Sequence, residues 1–256
     1  MIEVESFVDL HTHTRYPDLN NFPEKEIELA AENGGYSEIL AMPNSEIVID
    51  SLQNLHKAVS TDNKLDIKIH RTGALTKNLE GKELVNYEEL IDHGVYIFSD
   101  DGKSLIDDDL ANEAFEKIGK LGGAIFQHCE KNCYSQPGDI APPNQTDSLI
   151  AINESEESDV LLRDIKLVEK YGTRYHAQHI SSKNCVNYLR EAKKDNLPIS
   201  SEVTPHHLLI NNEGLDISNG QFKMFPPIRT EEDRASLIES LKDATIDVIA
   251  TDHAPH

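Results

Sequence analysis

The feature that most constrains this chain is an unbroken alternation of short apolar runs with amphipathic stretches. Strand-like runs fall at Ser6–His13, Ser37–Pro43, Asp66–Leu75, Val95–Asp100, Ala124–Cys129, Arg174–Ile180, Pro198–His206 and Asp247–Asp252. Helical patterns fill the intervals at Glu24–Glu32, Ser45–Ser60, Lys82–Asp92, Ser104–Leu121, Glu156–Tyr171, Lys183–Asp195 and Glu231–Asp243. Gly34, Gly94, Gly122 and Gly172 follow helix ends, where a left-handed cap is wanted. Strict βα order implies parallel strands joined by right-handed crossovers. Eight such units predict a closed (β/α)8 barrel of the TIM type; an open doubly wound sheet is the alternative. The length of 256 residues suits a single barrel domain over 1–256. No linker, repeat or low-complexity stretch divides it.

Composition narrows the partners. The formal net charge is −22, which argues against nucleic acid or an anionic membrane as the main partner. No apolar run reaches the ~18 residues of a membrane span. The N-terminus has neither a basic region nor an apolar signal core. The cysteines, Cys129, Cys133 and Cys185, are odd in number and suit a reducing cytoplasm. The close pair Cys129 and Cys133 has no second pair to complete a zinc site.

The chemistry gathers at the C-terminal ends of the strands. His11 and His13 alternate on the first strand, so they share a face and can grip one divalent metal. Asp100 and Asp101 end the fourth strand, His128 the fifth and Asp252 the eighth, while His176 and His179 lie in the sixth. In a barrel these ends meet at one mouth. Alone, any of them reads as a hydrogen-bonded polar residue or a loop cap. His176 and His179 differ by three, so a regular strand turns at most one of them inward.

The chain resembles the class I bacterial dihydroorotases of the amidohydrolase superfamily. The segments that carry the likeness are HTHTR (His11–Arg15), AMPN (Ala41–Asn44), GALTK (Gly73–Lys77), FSDDG (Phe98–Gly102) and QHCE (Gln127–Glu130). They continue in order with HISS (His179–Ser182), EVTPHHL (Glu202–Leu208), FKMFPPIR (Phe222–Arg229) and IATDHAPH (Ile249–His256). TPHH with ATDHAPH is a specific combination, whereas HxH alone indicates only the superfamily.

The resemblance implies two divalent metal ions, usually zinc. One would be held by His11, His13 and Asp252, the other by His128 and His179, with Asp101 bridging them. Many relatives bridge with a carboxylated lysine; YIFSDDG has none, which matches the aspartate-bridged branch. It implies hydrolysis of the cyclic amide of (S)-dihydroorotate to N-carbamoyl-L-aspartate, reversibly, as the third step of de novo pyrimidine synthesis. Asp252 would move the proton. Arg15, Asn44 and His256 would hold the substrate carboxylate. The bland reading of Arg15 is a surface ion pair and that of Asn44 a helix N-cap before Glu46. Asp100 would cap the following turn, and His206 and His207 would support structure.

The pattern departs from the family at Phe225, where relatives have a substrate-contacting Asn, and at Tyr16-Pro17-Asp18. The chain also reads as truncated at both ends. It stops after the eighth strand without a last helix, and the segments that build an accessory β-sandwich in relatives are missing. Outward-facing Val248 and Ala250, with part of Ile246, are therefore expected to meet water. Other readings are a hydantoinase, dihydropyrimidinase or allantoinase, or a silent scaffold for aspartate transcarbamoylase. A homodimer, or association with that enzyme, would suit the family.

Overall fold

The structure is a computed structural model that describes residues 5–15, 24–131, 154–213, 215, 222 and 224–255, with backbone alone at 154–155. Tyr16–Asp18, Cys133, most of Lys131–Glu154 and His256 fall outside those residues.

Among the described residues nine parallel strands run in chain order: β1 (Phe7–Thr12), β2 (Tyr36–Ala41), β3 (Lys68–Arg71), β4 (Gly73–Ala74), β5 (Ile97–Ser99), β6 (Ala124–Gln127), β7 (Arg174–Ala177), β8 (Ile199–Val203) and β9 (Val248–Ile249). The expected third strand is real but broken at Thr72. Its first half, β3, pairs with β2, and its second half, β4, pairs with β5. The ring closes between the first and last strands. Thr12 bridges His253 in parallel, His13 N donates to His253 O at 2.8 Å, and Asp252 N donates to His11 O at 3.0 Å. Asp9, buried on β1, accepts from Thr251 N at 3.1 Å and from Thr251 Oγ1 at 2.5 Å. These contacts make a closed TIM-type barrel of the strand sequence, as the alternation predicts.

The outer helices form where caps and apolar spacing agree. Helices α1 (Glu24–Gly34), α2 (Leu52–Asp62), α3 (Tyr87–Ile91) and α4 (Asp108–Lys120) come first. In α4, Asp107 caps the free N–H groups of Asp109 and Leu110, and acidic residues open the helix while Lys117 and Lys120 close it. Its buried Ala111, Ala114, Phe115 and Ile118 repeat at helical spacing and face the barrel. Next are α5 (Glu154–Tyr171), α6 (Lys183–Lys194), α7 (Pro205–Leu209) and α8 (Glu231–Lys242). The left-handed residue after α1 is Gly35 (φ 79°), not Gly34, because the helix runs on to Gly34 instead of stopping at Glu32.

Several boundaries differ from the sequence reading, and competing backbone bonds explain them. The helix expected from Ser45 begins only at Leu52, since the Ile49 carbonyl accepts from Ala74 N at 2.8 Å and is lost to a helix. No helix starts beside Asn44, so its N-cap reading fails. The helix expected from Lys82 begins at Tyr87 because Glu83 O and Val85 N pair back onto Lys77 N and Leu75 O at 2.8 and 3.2 Å. The seventh expected strand ends at Val203, where Thr204 caps α7 and Pro205 sits in its first turn. Along β9 the outward assignment was wrong by one position. Ile246 and Ala250 are buried, and Ile249 is the exposed residue, at 51%.

The main core lies between strands and helices, with Phe98, Phe115, Ile125, Leu161 and Tyr175 fully buried. Inside the barrel the lining turns polar, with His11, His176, Gln178 and Glu202 buried below the mouth. Among the described residues no helix is long and apolar enough to cross a membrane.

Candidate metal centre

Four strand ends and the loop after β9 deliver six side chains to one buried place. The ring-closing hydrogen bonds fix the backbones of His11, His13 and Asp252 against one another. The Asp252 carboxylate consequently lies 2.9 Å from His13 Nε2 and 3.5 Å from His11 Nε2. Asp252 takes a left-handed backbone (φ 53°), which a short polar side chain tolerates. Asp101 follows β5, with its own N–H donated to Ser99 Oγ at 3.0 Å.

Asp101 stands between two histidine pairs. Its Oδ2 lies 3.5 Å from His11 Nε2 and 3.3 Å from His13 Nε2. Its Oδ1 lies 3.5 Å from His128 Nδ1 and 3.7 Å from His179 Nε2. Those two ring nitrogens face each other at 2.7 Å. Asp101 Oδ1 is buried and accepts no hydrogen bond, a costly state for a carboxylate oxygen. A cation between oxygen and rings would satisfy it, so this donor set fits a metal. Among the described residues three groupings converge closely enough to share an ion: His11, His13 and Asp101; Asp101, His128 and His179; and His11, His179 and Asp252.

Further polar groups orient the rings. His13 Nδ1 donates to Asn44 Oδ1 at 2.7 Å, which leaves Nε2 toward the centre. His128 Nε2 meets Glu130 Oε2 at 3.1 Å. His11 Nδ1 meets Glu202 Oε1 at 2.5 Å. Charge within the cluster is balanced. Burial raises Asp101 and Asp252, but the neighbouring histidines outweigh it, holding Asp101 well below the carboxylate range and Asp252 below it. Burial pulls His128 down, yet Asp101 and Glu130 lift it to about 10.

The remaining candidates sort by position. Arg15 sits half-buried at the mouth in a left-handed conformation (φ 59°). Burial lowers its guanidinium, while Asp101 and Asp252 act to raise it. Asp100 points away from the centre. It caps the preceding segment rather than the following turn, accepting from Leu75 N at 2.8 Å, Thr76 N at 2.9 Å and Thr76 Oγ1 at 2.5 Å. His207 is structural, bonded to Thr204 Oγ1 at 2.7 Å and Pro226 O at 3.1 Å, and burial with nearby His206 and His179 pushes it down to about 3. Cys129 is buried beside the Tyr175 hydroxyl, and burial pushes its thiol well above the ordinary range. His256 lies outside the described residues. Sequence reasoning gave no role to Glu202 or Glu130.

The model of a family described as Dihydro-orotase-like matches residues 2–185, a span that contains His11, His13, Asp101, His128 and His179. The chain belongs to the dihydroorotase-like family. Among relatives, a protein named Dihydroorotase from Fusobacterium nucleatum subsp. nucleatum is 38% identical over 98% of this chain and 60% of its own length. Another of that name from Bacillus cereus is 37% identical over 97% of this chain and 59% of its own. This dihydroorotase-like chain thus spans about 60% of the length of such relatives. The L-hydantoinase (dihydropyrimidinase) of Arthrobacter aurescens superposes with a TM-score of 0.81 at 21% identity, over 97% of this chain and 58% of that one. At that identity the likeness concerns the fold alone.

Proposed function

We propose that this chain carries the catalytic barrel of a dihydroorotase, which hydrolyses the ring amide of (S)-dihydroorotate to N-carbamoyl-L-aspartate and runs in reverse in pyrimidine synthesis. The observation that carries the reading is Asp101, buried between two histidine pairs with one oxygen unbonded, in a chain whose relatives bear that name. Two divalent ions, zinc by the chemistry of histidine and carboxylate donors, would be held by His11, His13 and Asp252 and by His128 and His179, with Asp101 shared. When bound, they supply Lewis acidity, polarising the amide carbonyl and making water acidic enough to attack it near neutral pH.

The chain's own groups do the rest. Asp252, ionised and at the rim of the cluster, accepts the proton of the attacking water and returns it to the leaving ring nitrogen. Asn44 keeps the His13 ring in one orientation through Nδ1, and its amide nitrogen remains for the substrate. Arg15 offers a planar fork to the substrate carboxylate. His256 is assigned to the same carboxylate by the DHAPH motif alone. The two described cysteines are free, and we place the enzyme in the cytoplasm.

Arg15 separates this reading from a hydantoinase or dihydropyrimidinase, whose dihydrouracil-type substrates lack the carboxylate. Arg15→Met should raise KM for dihydroorotate by about 10–100-fold, the loss of one charge-assisted pair. Any weak turnover of dihydrouracil should hardly change. Steady-state kinetics on both substrates checks this; equal losses on both would make Arg15 a structural residue.

A further inference from the structure

One carboxylate below the metal centre has no part in the proton transfers above. Glu202 is fully buried on β8. Its Oε1 lies 2.5 Å from His11 Nδ1 and accepts from the His179 backbone N–H at 3.2 Å. Its Oε2 lies 3.0 Å from His176 Nε2. His176 is in turn held by Ser200 Oγ at 2.7 Å from Nδ1 and by stacking on Phe126 with ring centroids 4.3 Å apart. The sequence pattern raised His176 as a candidate ligand; the structure turns it to Glu202 instead.

We propose that Glu202 is a positioning residue of the metal centre, fixing His11 as the tautomer with its proton on Nδ1 and tying the His179 backbone to the same side chain. This rests on the ligand roles proposed above for His11 and His179. An ionised carboxylate can only accept hydrogen bonds. At 2.5 Å from Glu202 Oε1, His11 Nδ1 must therefore be the donor. The Gln178 amide nitrogen stands 3.3 Å from Nδ1 and 3.5 Å from Nε2; an Nδ1 that donates to Glu202 cannot accept from it, and the amide has Met42 Sδ at 3.3 Å as an acceptor. His11 Nε2 is then the unprotonated nitrogen, with the Gln178 amide at the 3.5 Å limit of a hydrogen bond and Asp101 Oδ2 and Asp252 Oδ1 each at 3.5 Å. That is the nitrogen a metal needs. One ligand from each histidine pair is thereby set by a single buried carboxylate, and His176 with Ser200 holds that carboxylate from below.

Glu202→Gln separates charge from shape. Its carbonyl oxygen can still accept from His11 Nδ1. Its amide can donate to His176 Nε2, provided His176 moves its proton to Nδ1 and gives it to Ser200 Oγ. The negative charge behind His11 is gone. The test has two arms. Nitrogen-15 NMR of histidine side chains in the metal-free protein, followed to alkaline pH so that the neutral ring is read and with His11→Ala for assignment, gives the tautomer. Zinc affinity by competition with a chelating dye is measured for the unaltered protein, H11A and E202Q, beside the melting temperature of each metal-free form.

The expected results are an Nδ1-protonated His11 and zinc binding about 10–100-fold weaker in E202Q, with its metal-free melting temperature little changed. A neutral His11 with its proton on Nε2 would overturn the proposal. So would E202Q binding zinc as the unaltered protein does while H11A loses it, or a loss of melting temperature alone. If H11A itself binds zinc undiminished, the ligand reading fails first and the positioning role fails with it. Should E202Q not fold, the tautomer in the unaltered protein decides.

Discussion

Asp252→Asn is expected to lower turnover of dihydroorotate by about 10²–10⁴-fold, the range for loss of an acid–base group. The substitution keeps the side chain's size and one oxygen at the rim of the cluster. It removes the lone pair that would accept the proton. Asp252 suits that task because it is the more accessible of the two carboxylates: its side chain is 19% exposed, against 2% for Asp101. His11, His13 and His179 keep it ionised against the effect of burial. Metal content should fall less than activity, since Asp101 still serves both histidine pairs. Activity and metal content measured on the same sample check the prediction. Near-parental turnover would assign the proton transfer to another group.

Asp101→Asn should instead remove the metals. Each oxygen of Asp101 faces a different histidine pair. An amide offers one weakly basic oxygen and a nitrogen whose protons would point at ring nitrogens. Both ions lose their shared anion in a site where burial amplifies every charge. Elemental analysis should find close to two divalent ions per chain in the parent and less than one in the variant, with activity at background. The ring-closing bonds of the barrel involve neither Asp101 oxygen, so the metal-free variant should remain folded by circular dichroism. Full metal content in Asp101→Asn would remove Asp101 from the bridging position.

Much of this arrangement is legible in the chain because its signals are local. Strand ends carry period-two parity, and His11 with His13 obeys it. So does the choice between the two adjacent aspartates. Asp101 shares the parity of Ser99, whose side chain reaches Gln178 inside the barrel at 3.3 Å. Asp100 shares that of Phe98 in the outer core, so it could have been set aside without the resemblance. The failures are non-local. Nothing around Ile49 announces that Ala74 on β4 would capture its carbonyl, nor around Glu83–Val85 that the chain would pair back onto Leu75 and Lys77. Glu202 stands in the EVTPHHL segment, which by itself assigns it no role. A strand pattern does not distinguish an outward carboxylate from one paired with histidines 191 and 26 residues away. The register error at β9 has the same origin, since a short strand between loops has too few residues to set its own parity.

The central claim is that this metal centre serves a cyclic amide bearing a carboxylate. The most direct test is hydrolysis of dihydroorotate by the metal-stripped protein, assayed before and after zinc is added back, with dihydrouracil in parallel. The account predicts no turnover without metal, restored turnover of dihydroorotate with zinc, and little or none of dihydrouracil. Zinc bound at His11, His13, Asp101, His128, His179 and Asp252 with dihydrouracil preferred, or with dihydroorotate untouched, would contradict it.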